Sequence, residues 1–559
     1  MNIRKITLAF AISALVSPAA QAEYDINLLN AFTGSKGART GSAEILAYSA
    51  HQNTVLSTVA GSDGYGVQIL SLGASGSLTE RGLIDFGTAF GTTSDINSAS
   101  STSIDPLGRG FGVVSLIPTD NGSTQGKLGF FDYRSGSLGV ISTLDVGFHP
   151  DNVKFSKDGN RLFIANEGEL TVGGDNDAAG SVSIVDLSSI SSIADVSSLN
   201  GSHVSTFDFQ AANLAAGVSL AGLRINDKTA TELYRHIEPE YITELDKQLY
   251  VSLQENNAVG VFDLASNKWT AIHDLGTIKQ TIDASDKDGA LINDVVAGMP
   301  MPDTIASFSN KGNKYIVTAN EGDFRGDDAD RVRVKDIDSS DIDDATEAKL
   351  NALYDGDFTA DDALGRLRVS NIDGDIDGDG DIDVLTMPGT RSMSIWNATT
   401  GELVSDTGSL EALLLSLDPD KHNMNGDLSD FDKRSDDKGP EPEALFVAEI
   451  DGKQIALVGM ERQNGLLLFD VTDPTSPVFV GYENSFAEGL VSPESLLLVA
   501  AEDNPTGKLV LLAGYEVNGG GIGVYSVGAS PVPVPSAFIL MITALGGLVS
   551  VNRQRKLKG

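Results

Sequence analysis

Short apolar runs separated by polar turns recur along most of this chain. In Arg161-Leu162-Phe163-Ile164-Ala165 and Lys314-Tyr315-Ile316-Val317-Thr318, β-branched and apolar residues alternate with polar ones, and Asp-Gly or Lys-Gly hairpins stand between such runs. That pattern predicts short antiparallel strands. The runs are organised as copies. Each begins with Pro and an acid, passes through a strand and hairpin, and reaches a second strand that ends in Glu. A third strand follows and closes on an Asp-containing or aromatic turn.

Five copies follow this plan closely. They start at His149-Pro150-Asp151, Glu238-Pro239-Glu240, Met301-Pro302-Asp303, Glu441-Pro442-Glu443 and Ser492-Pro493-Glu494. Their second strands end at Glu167, Glu255, Glu321, Glu461 and Glu516. Looser copies at Glu44 to Leu72 and Asn97 to Tyr133 precede them. Copies of a three- or four-stranded unit suit blades around an axis, so the expectation is an all-β chain, a seven-bladed β-propeller of the YVTN/WD40-like kind. A sandwich needs only about seven strands in total, and a β-helix wants a shorter, more regular period. The early strand Tyr24 to Asn30 is placed to complete the last blade.

Two excursions interrupt the copies. Blade 5 carries an acidic insertion, residues 323–390, before its third strand at Ser392 to Trp396. The stretch Ser188 to Arg235 is expected to be partly helical around Ala211 to Leu223. Loops of this length are usually functional or disordered.

The two ends read differently from the body. Residues 1–22 have the order of a secretory signal: Arg4 and Lys5, an apolar run from Ile6 to Val16, and Ala20-Gln21-Ala22 as a small-residue cleavage site. Residues 23–528 form the propeller, and 529–559 a C-terminal tail. In that tail Pro531-Val532-Pro533-Val534-Pro535 precedes an apolar stretch from Ser536 to Val551 and a basic finish at Arg553, Arg555, Lys556 and Lys558. A helix over Ser536 to Val551 reaches about 24 Å, short of a ~30 Å hydrocarbon core, and the basic end would stay cytoplasmic. The tail resembles a PEP-CTERM sorting signal of Gram-negative bacteria, with Val534 where Glu is usual; a plain single-span anchor is the other reading. Together the ends predict export to the cell envelope, outer surface or extracellular matrix, with membrane contact only through the tail.

Composition narrows the chemistry. A net charge of -39 argues against nucleic acid, which needs clustered Lys and Arg, and suits a surface that collects cations. Without cysteine there are no disulfides, no thiol chemistry and no Cys-ligated zinc. The clearest metal signal is the run from Asp373 to Asp383, six acids in eleven residues. Read from Asp375, it places Asp375, Asp377, Asp379 and Asp383 at positions 1, 3, 5 and 9 of an EF-hand-like loop, with Gly380 at position 6 and Asp381 between. Thr386 stands where the bidentate Glu would be. Ca²⁺ is the expected ion, although another metal fits the same donors; a solvated acidic loop is the bland alternative.

A second signal follows from the repeat. A blade's first strand starts on the face where its second strand ends, so Asp151, Glu240, Asp303, Glu443 and Glu494 should share a rim with Glu167, Glu255, Glu321, Glu461 and Glu516. Such a ring is costly unless paired or metal-bound. Either it forms a cation or substrate site, or its members cap hairpins and pair with Arg325, Arg391, Arg434 and Arg462. His149 and His236 stand near blade starts. There is no G-x-S-x-G elbow, no H-E-x-x-H and no P-loop; Gly108-Arg109-Gly110-Phe111-Gly112 reads as a hairpin.

The stretch Asp432-Lys433-Arg434-Ser435-Asp436-Asp437-Lys438-Gly439-Pro440-Glu441-Pro442-Glu443 resembles the choice-of-anchor I family. So do Ile237-Glu238-Pro239-Glu240-Tyr241, Ala319-Asn320-Glu321-Gly322-Asp323, the Asp-rich loop, and Gly389-Thr390-Arg391-Ser392-Met393, the last departing from the usual Ala and Phe at its second and fifth positions. The resemblance implies an envelope or extracellular propeller, similar in part to mesenchyme-specific cell-surface glycoproteins, with no assigned reaction. Two functions are therefore expected. One is a calcium-stabilised binding module for a matrix component, glycan or protein. The other is a metal-dependent phosphoesterase acting on a phosphorylated small molecule, with Glu321 and Glu443 holding metal and Arg391 or Arg434 clamping the oxyanion.

Overall fold

The computed structural model describes residues 23–530, apart from 35–38, 40–41, 63, 93–94, 121, 135–137, 171–176, 227–229, 326–329 and 518. The signal read from the sequence lies outside the described residues, as does the tail from residue 531 on; Ala529, read as the start of the tail, instead ends the last strand, Gly521–Ala529. Among the described residues, no helix is long and apolar enough to cross a membrane.

Among those residues, seven antiparallel sheets of four or five strands follow one another along the chain. They open with first strands Ser42–Ser49, Thr102–Ile104 (preceded in its sheet by the short Ile96–Ser98), Pro150–Phe155, Pro239–Leu245, Ile305–Asn310, Pro442–Ile450 and Pro493–Val499, and are blades 1 to 7 in that order. Each first strand touches the next, and Pro493–Val499 touches Ser42–Ser49, so the ring closes on itself. Strand pairing reinforces the closure. Tyr24–Thr33 pairs antiparallel with Gly521–Ala529, making the N-terminal strand the outermost strand of blade 7.

The core lies between blades. Leu162 and Ile164 pack with Phe111 and Val113 of blade 2, whereas Phe163 and Ala165 of the same strand pack with Leu249 and Val251 of blade 4. Middle strands are thus covered on both faces and are apolar at successive positions. This corrects the alternating pattern expected for Arg161 to Ala165, where Leu162 through Asn166 are all buried.

The excursions differ from expectation. Ala211 to Leu223 forms turns with no helix, held to blade 4 where Trp269 donates its backbone N–H to Asn213 and accepts from Ala215. Trp269 is fully buried and stacks on Phe209 at 4.3 Å. The blade 5 insertion has a core of its own, including Val334, Phe358, Leu367 and Met387. It recruits a strap from before the blade: Ile278–Ile282 pairs with Asp294–Met299, which pairs in parallel with Thr386–Pro388.

Candidate metal centre at the propeller mouth

A local backbone device brings the acids together. His149, Met301, Glu441 and Ser492, each just before a blade-opening Pro, adopt left-handed backbone with φ between 43 and 63°. The carbonyl of each accepts the N–H of a residue one or two positions past the end of that blade's second strand: Glu167 (2.8 Å), Gly322 (3.1 Å), Glu461 (2.7 Å) and Glu516 (3.0 Å) respectively. The kink turns the Pro-acid pair against the strand-two Glu, blade after blade.

The result is a cavity of about 330 Å³. All five Pro-following acids line it, together with Glu321, Glu461 and Glu516, and two acids the repeat reading did not single out, Glu44 and Asp323. Glu44 follows Ala43, another left-handed residue (φ 77°), and so occupies the blade 1 equivalent; only the looseness of that copy concealed it. Blade 2 offers Ser100 instead, whose hydroxyl donates to Asp151 Oδ1 at 3.0 Å. Glu167 and Glu255 flank the lining. With Glu240 they offer oxygens within 4.8 Å of one another, and Glu255 Oε2 is enclosed without a hydrogen-bond partner.

Against ten carboxylates the lining has two cationic side chains, Lys438 and Arg462. Both lie on one side. Lys438 Nζ bonds Glu321 Oε1 (2.5 Å) and approaches Glu441 (3.2 Å) and Asp323 (3.3 Å), while Arg462 bonds Glu461 at 2.7 Å. Burial alone would raise Glu441, but Lys438 and then Arg434 and Arg462 outweigh it and bring it down to about 2. Glu44, Glu240, Asp303, Glu443 and Glu494 have no lysine or arginine partner among the described residues. Burial, reinforced by neighbouring carboxylates, holds Glu240, Asp303, Glu443 and Glu494 well above the usual carboxylate range. Glu443 Oε2 is enclosed and has no hydrogen-bond partner. A buried anion cluster of this kind is relieved by protons or by a cation.

The arginines expected to clamp an oxyanion do other work. Arg391 is fully buried, with its guanidinium on Glu411 Oε1 (2.7 Å) and on the carbonyls of Asp283, Ser435 and Asp437 (2.7, 2.8 and 2.8 Å). It cannot meet a ligand at the mouth. Arg434 is held by Glu441 and Asp437, and Arg325 by Glu238 and Asp177. Among the arginines expected to pair with the ring, Arg462 is the one that lines the cavity. His149 faces Glu169 and Glu167 (3.0 and 3.4 Å), and His236 meets Arg325.

None of the Asp375–Asp383 carboxylates lines the mouth. In that loop Asp375 accepts the N–H groups of Gly378 (2.7 Å) and Gly380 (3.1 Å), and Asp383 accepts that of Ile376 (2.8 Å). Gly378 and Gly380, at φ 84 and 107°, let the chain fold back. Asp377 and Asp379 cap the next turns, accepting from Asp379 and Asp381 N–H. Asp381 and Asp383 instead converge with Asp343, the N-cap of helix Asp344–Leu353, their oxygens within 4.8 Å. Asp381 Oδ1 is enclosed and unpartnered. Asp343 was invisible in the sequence reading because it lies outside the Asp-rich run.

Radial sheets around an acid-lined mouth define a β-propeller with a concentrated negative end. The chain belongs to the choice-of-anchor I family: the Choice-of-anchor I domain matches residues 44–474. Domains of this kind are linked to cell-surface anchoring, and the protein is a surface-associated propeller. No curated protein matches it in sequence. Distantly similar solved structures include Kuenenia stuttgartiensis hydrazine synthase, 11% identical over 89% of this chain and 97% of that one, TM-score 0.43. Another is the Pseudomonas aeruginosa periplasmic gluconolactonase PpgL, 13% identical over 89% and 93%, TM-score 0.41.

Proposed function

We propose that this protein is an exported cation-binding module of the envelope or extracellular matrix, whose mouth takes a divalent ion, Ca²⁺ first among them. Through that ion it binds a glycan, a matrix component or an acidic group of a protein. The observation that carries this is the excess of acid at the mouth, ten carboxylates against Lys438 and Arg462, with Glu443 Oε2 enclosed and without a hydrogen-bond partner. Hard oxygen donors in excess of any fixed positive charge are what Ca²⁺ requires. Chelator-treated protein should gain about 2.7 kcal/mol when Ca²⁺ reaches a hundred times its dissociation constant. Glu443→Gln should lose most of that gain in thermal melts while staying folded. Equal gains in both proteins would refute a metal at the mouth.

A second reading, a metal-dependent phosphoesterase, is favoured by one feature: Arg462 and Lys438 line the same cavity as the carboxylates, so a phosphate on the metal would meet them. Phosphate-ester turnover with Ca²⁺, Mn²⁺ or Fe²⁺ supplied, abolished in Glu443→Gln, would select it over the binding module.

The Asp loop is proposed to hold its own Ca²⁺ through Asp381, Asp383 and Asp343. Asp381→Asn should remove one equivalent of bound calcium by metal analysis and leave the mouth's Ca²⁺ response intact. An unchanged calcium content in Asp381→Asn would show that the loop is only a self-capped turn.

A further inference from the structure

A separate cluster lies where the strap preceding blade 5 meets the segment between blades 5 and 6. Asp283 follows strand Ile278–Ile282, and His422 and Asp432 come from the 418–441 connection. Asp283 and His422 are fully buried and Asp432 is 5% exposed, yet each offers a ligand atom within 4.8 Å of the others. His422 Nε2 is 2.8 Å from Asp283 Oδ2. Asp283 is held in place by the backbone N–H of Leu291 (2.9 Å), and Asp432 by the Ser435 hydroxyl (2.6 Å).

Two further observations point to a missing partner. His422 Nδ1 is enclosed and meets no hydrogen-bonding atom, and neither does the enclosed Oδ1 of Asp288, a third carboxylate whose nearest charges include Asp283 and Asp432. Among the described residues, neither Asp283 nor Asp288 nor Asp432 has a lysine or arginine partner. The neighbouring cations are spent elsewhere: Arg366 on Asp286 and Asp436, Lys287 on Asp286, Arg333 on Asp436. Three carboxylates and one imidazole, with enclosed, unsatisfied atoms on His422 and Asp288, form a donor set of mixed nitrogen and oxygen. Such a set suits Zn²⁺ or Mn²⁺, whereas Ca²⁺ prefers oxygen alone.

We propose that Asp283, Asp288, His422 and Asp432 bind one divalent transition metal of the Zn²⁺ or Mn²⁺ class, clipping the strap to the segment that carries Lys438 to the mouth. This site is distinct from the mouth and from the Asp loop, and its test leaves both intact. Chelator-stripped protein is titrated with ZnCl₂ or MnCl₂, desalted and analysed for metal, with melting temperature followed in parallel. Wild type should retain one equivalent more than His422→Gln, and the transition-metal rise in melting temperature should vanish in the variant while the Ca²⁺ rise persists. Asp288→Asn, at a partly exposed position, should weaken the affinity at least roughly ten-fold and covers the case in which His422→Gln does not fold. Equal metal content in wild type and both variants overturns the site. So does a His422→Gln melting temperature lowered by the same amount with and without metal, which would mark His422 as a hydrogen-bonded post only.

Discussion

Arg391→Met should cost about 3–5 kcal/mol in denaturant unfolding, because a buried ion pair broken on one side strands the other charge. Arg391 and Glu411 both have fully buried side chains and meet at 2.7 Å. The same guanidinium satisfies three backbone carbonyls, those of Asp283, Ser435 and Asp437. These sit on the strap and on the segment leading into Lys438, so one side chain gathers three stretches of chain. Arg391→Lys should recover only part of the loss, since an ammonium lacks the planar fork that reaches several acceptors at once. The double variant Arg391→Met/Glu411→Leu should be more stable than Arg391→Met alone, because it removes the stranded carboxylate. An Arg391→Met protein within about 1 kcal/mol of wild type would show the cluster to be poorly coupled to folding. Gly439 belongs to the same arrangement. At φ 67° it lies on Arg391, and an added Cβ would fall 2.6 Å from the arginine Cδ.

This explains why two of the stretches that carry the family resemblance, Gly389 to Met393 and Asp432 to Glu443, occur in one chain: each is the other's packing partner. The sequence suggested an oxyanion clamp for Arg391 because Arg beside acids has that chemistry, but burial reverses the role. Burial of one residue depends on contacts from the strap and the 435–437 segment, which periodicity cannot register. The rim, by contrast, was readable, because it follows from local geometry repeated in each blade: a left-handed residue, a Pro, an acid, and a strand-two end bonded back to the first carbonyl. Where the copy was loose, as at Glu44, or where the residue came from the insertion, as with Asp323, the reading missed it. The Asp283–His422–Asp432 cluster had no signal at all. Asp283 and His422 are 139 residues apart and belong to connections, which the repeat does not describe.

Without metal, stability should fall as pH rises from about 4.5 through about 8, and saturating Ca²⁺ should flatten that decline. Burial, then the charge of Glu441, pushes Glu461 from 4.5 up to about 8; burial, then Glu516 and Asp151, does the same to Glu44. A carboxyl whose folded value lies above its unfolded one binds protons more tightly in the folded state, so raising pH favours unfolding. Its favourable contribution is complete below 4.5 and gone above about 8. Glu441, brought down to about 2, acts in the opposite sense, but its contribution is lost only as pH falls below 4.5 and lies outside this window. Across the window the effect should amount to several kcal/mol, shared among coupled groups that titrate together. A cation occupies the place of those protons, because metal-binding carboxylates must ionise. Calcium binding should therefore release protons near neutral pH, measurable as a buffer-dependent heat in calorimetry, and bind more tightly as pH rises. Melting curves from about pH 5 to 9, with chelator and with Ca²⁺, test both halves. A flat profile in chelator would mean that the ring is neutralised by some other means. A decline that Ca²⁺ leaves unchanged would place the ion away from the mouth, since only an ion among these carboxylates can substitute for the protons they otherwise hold.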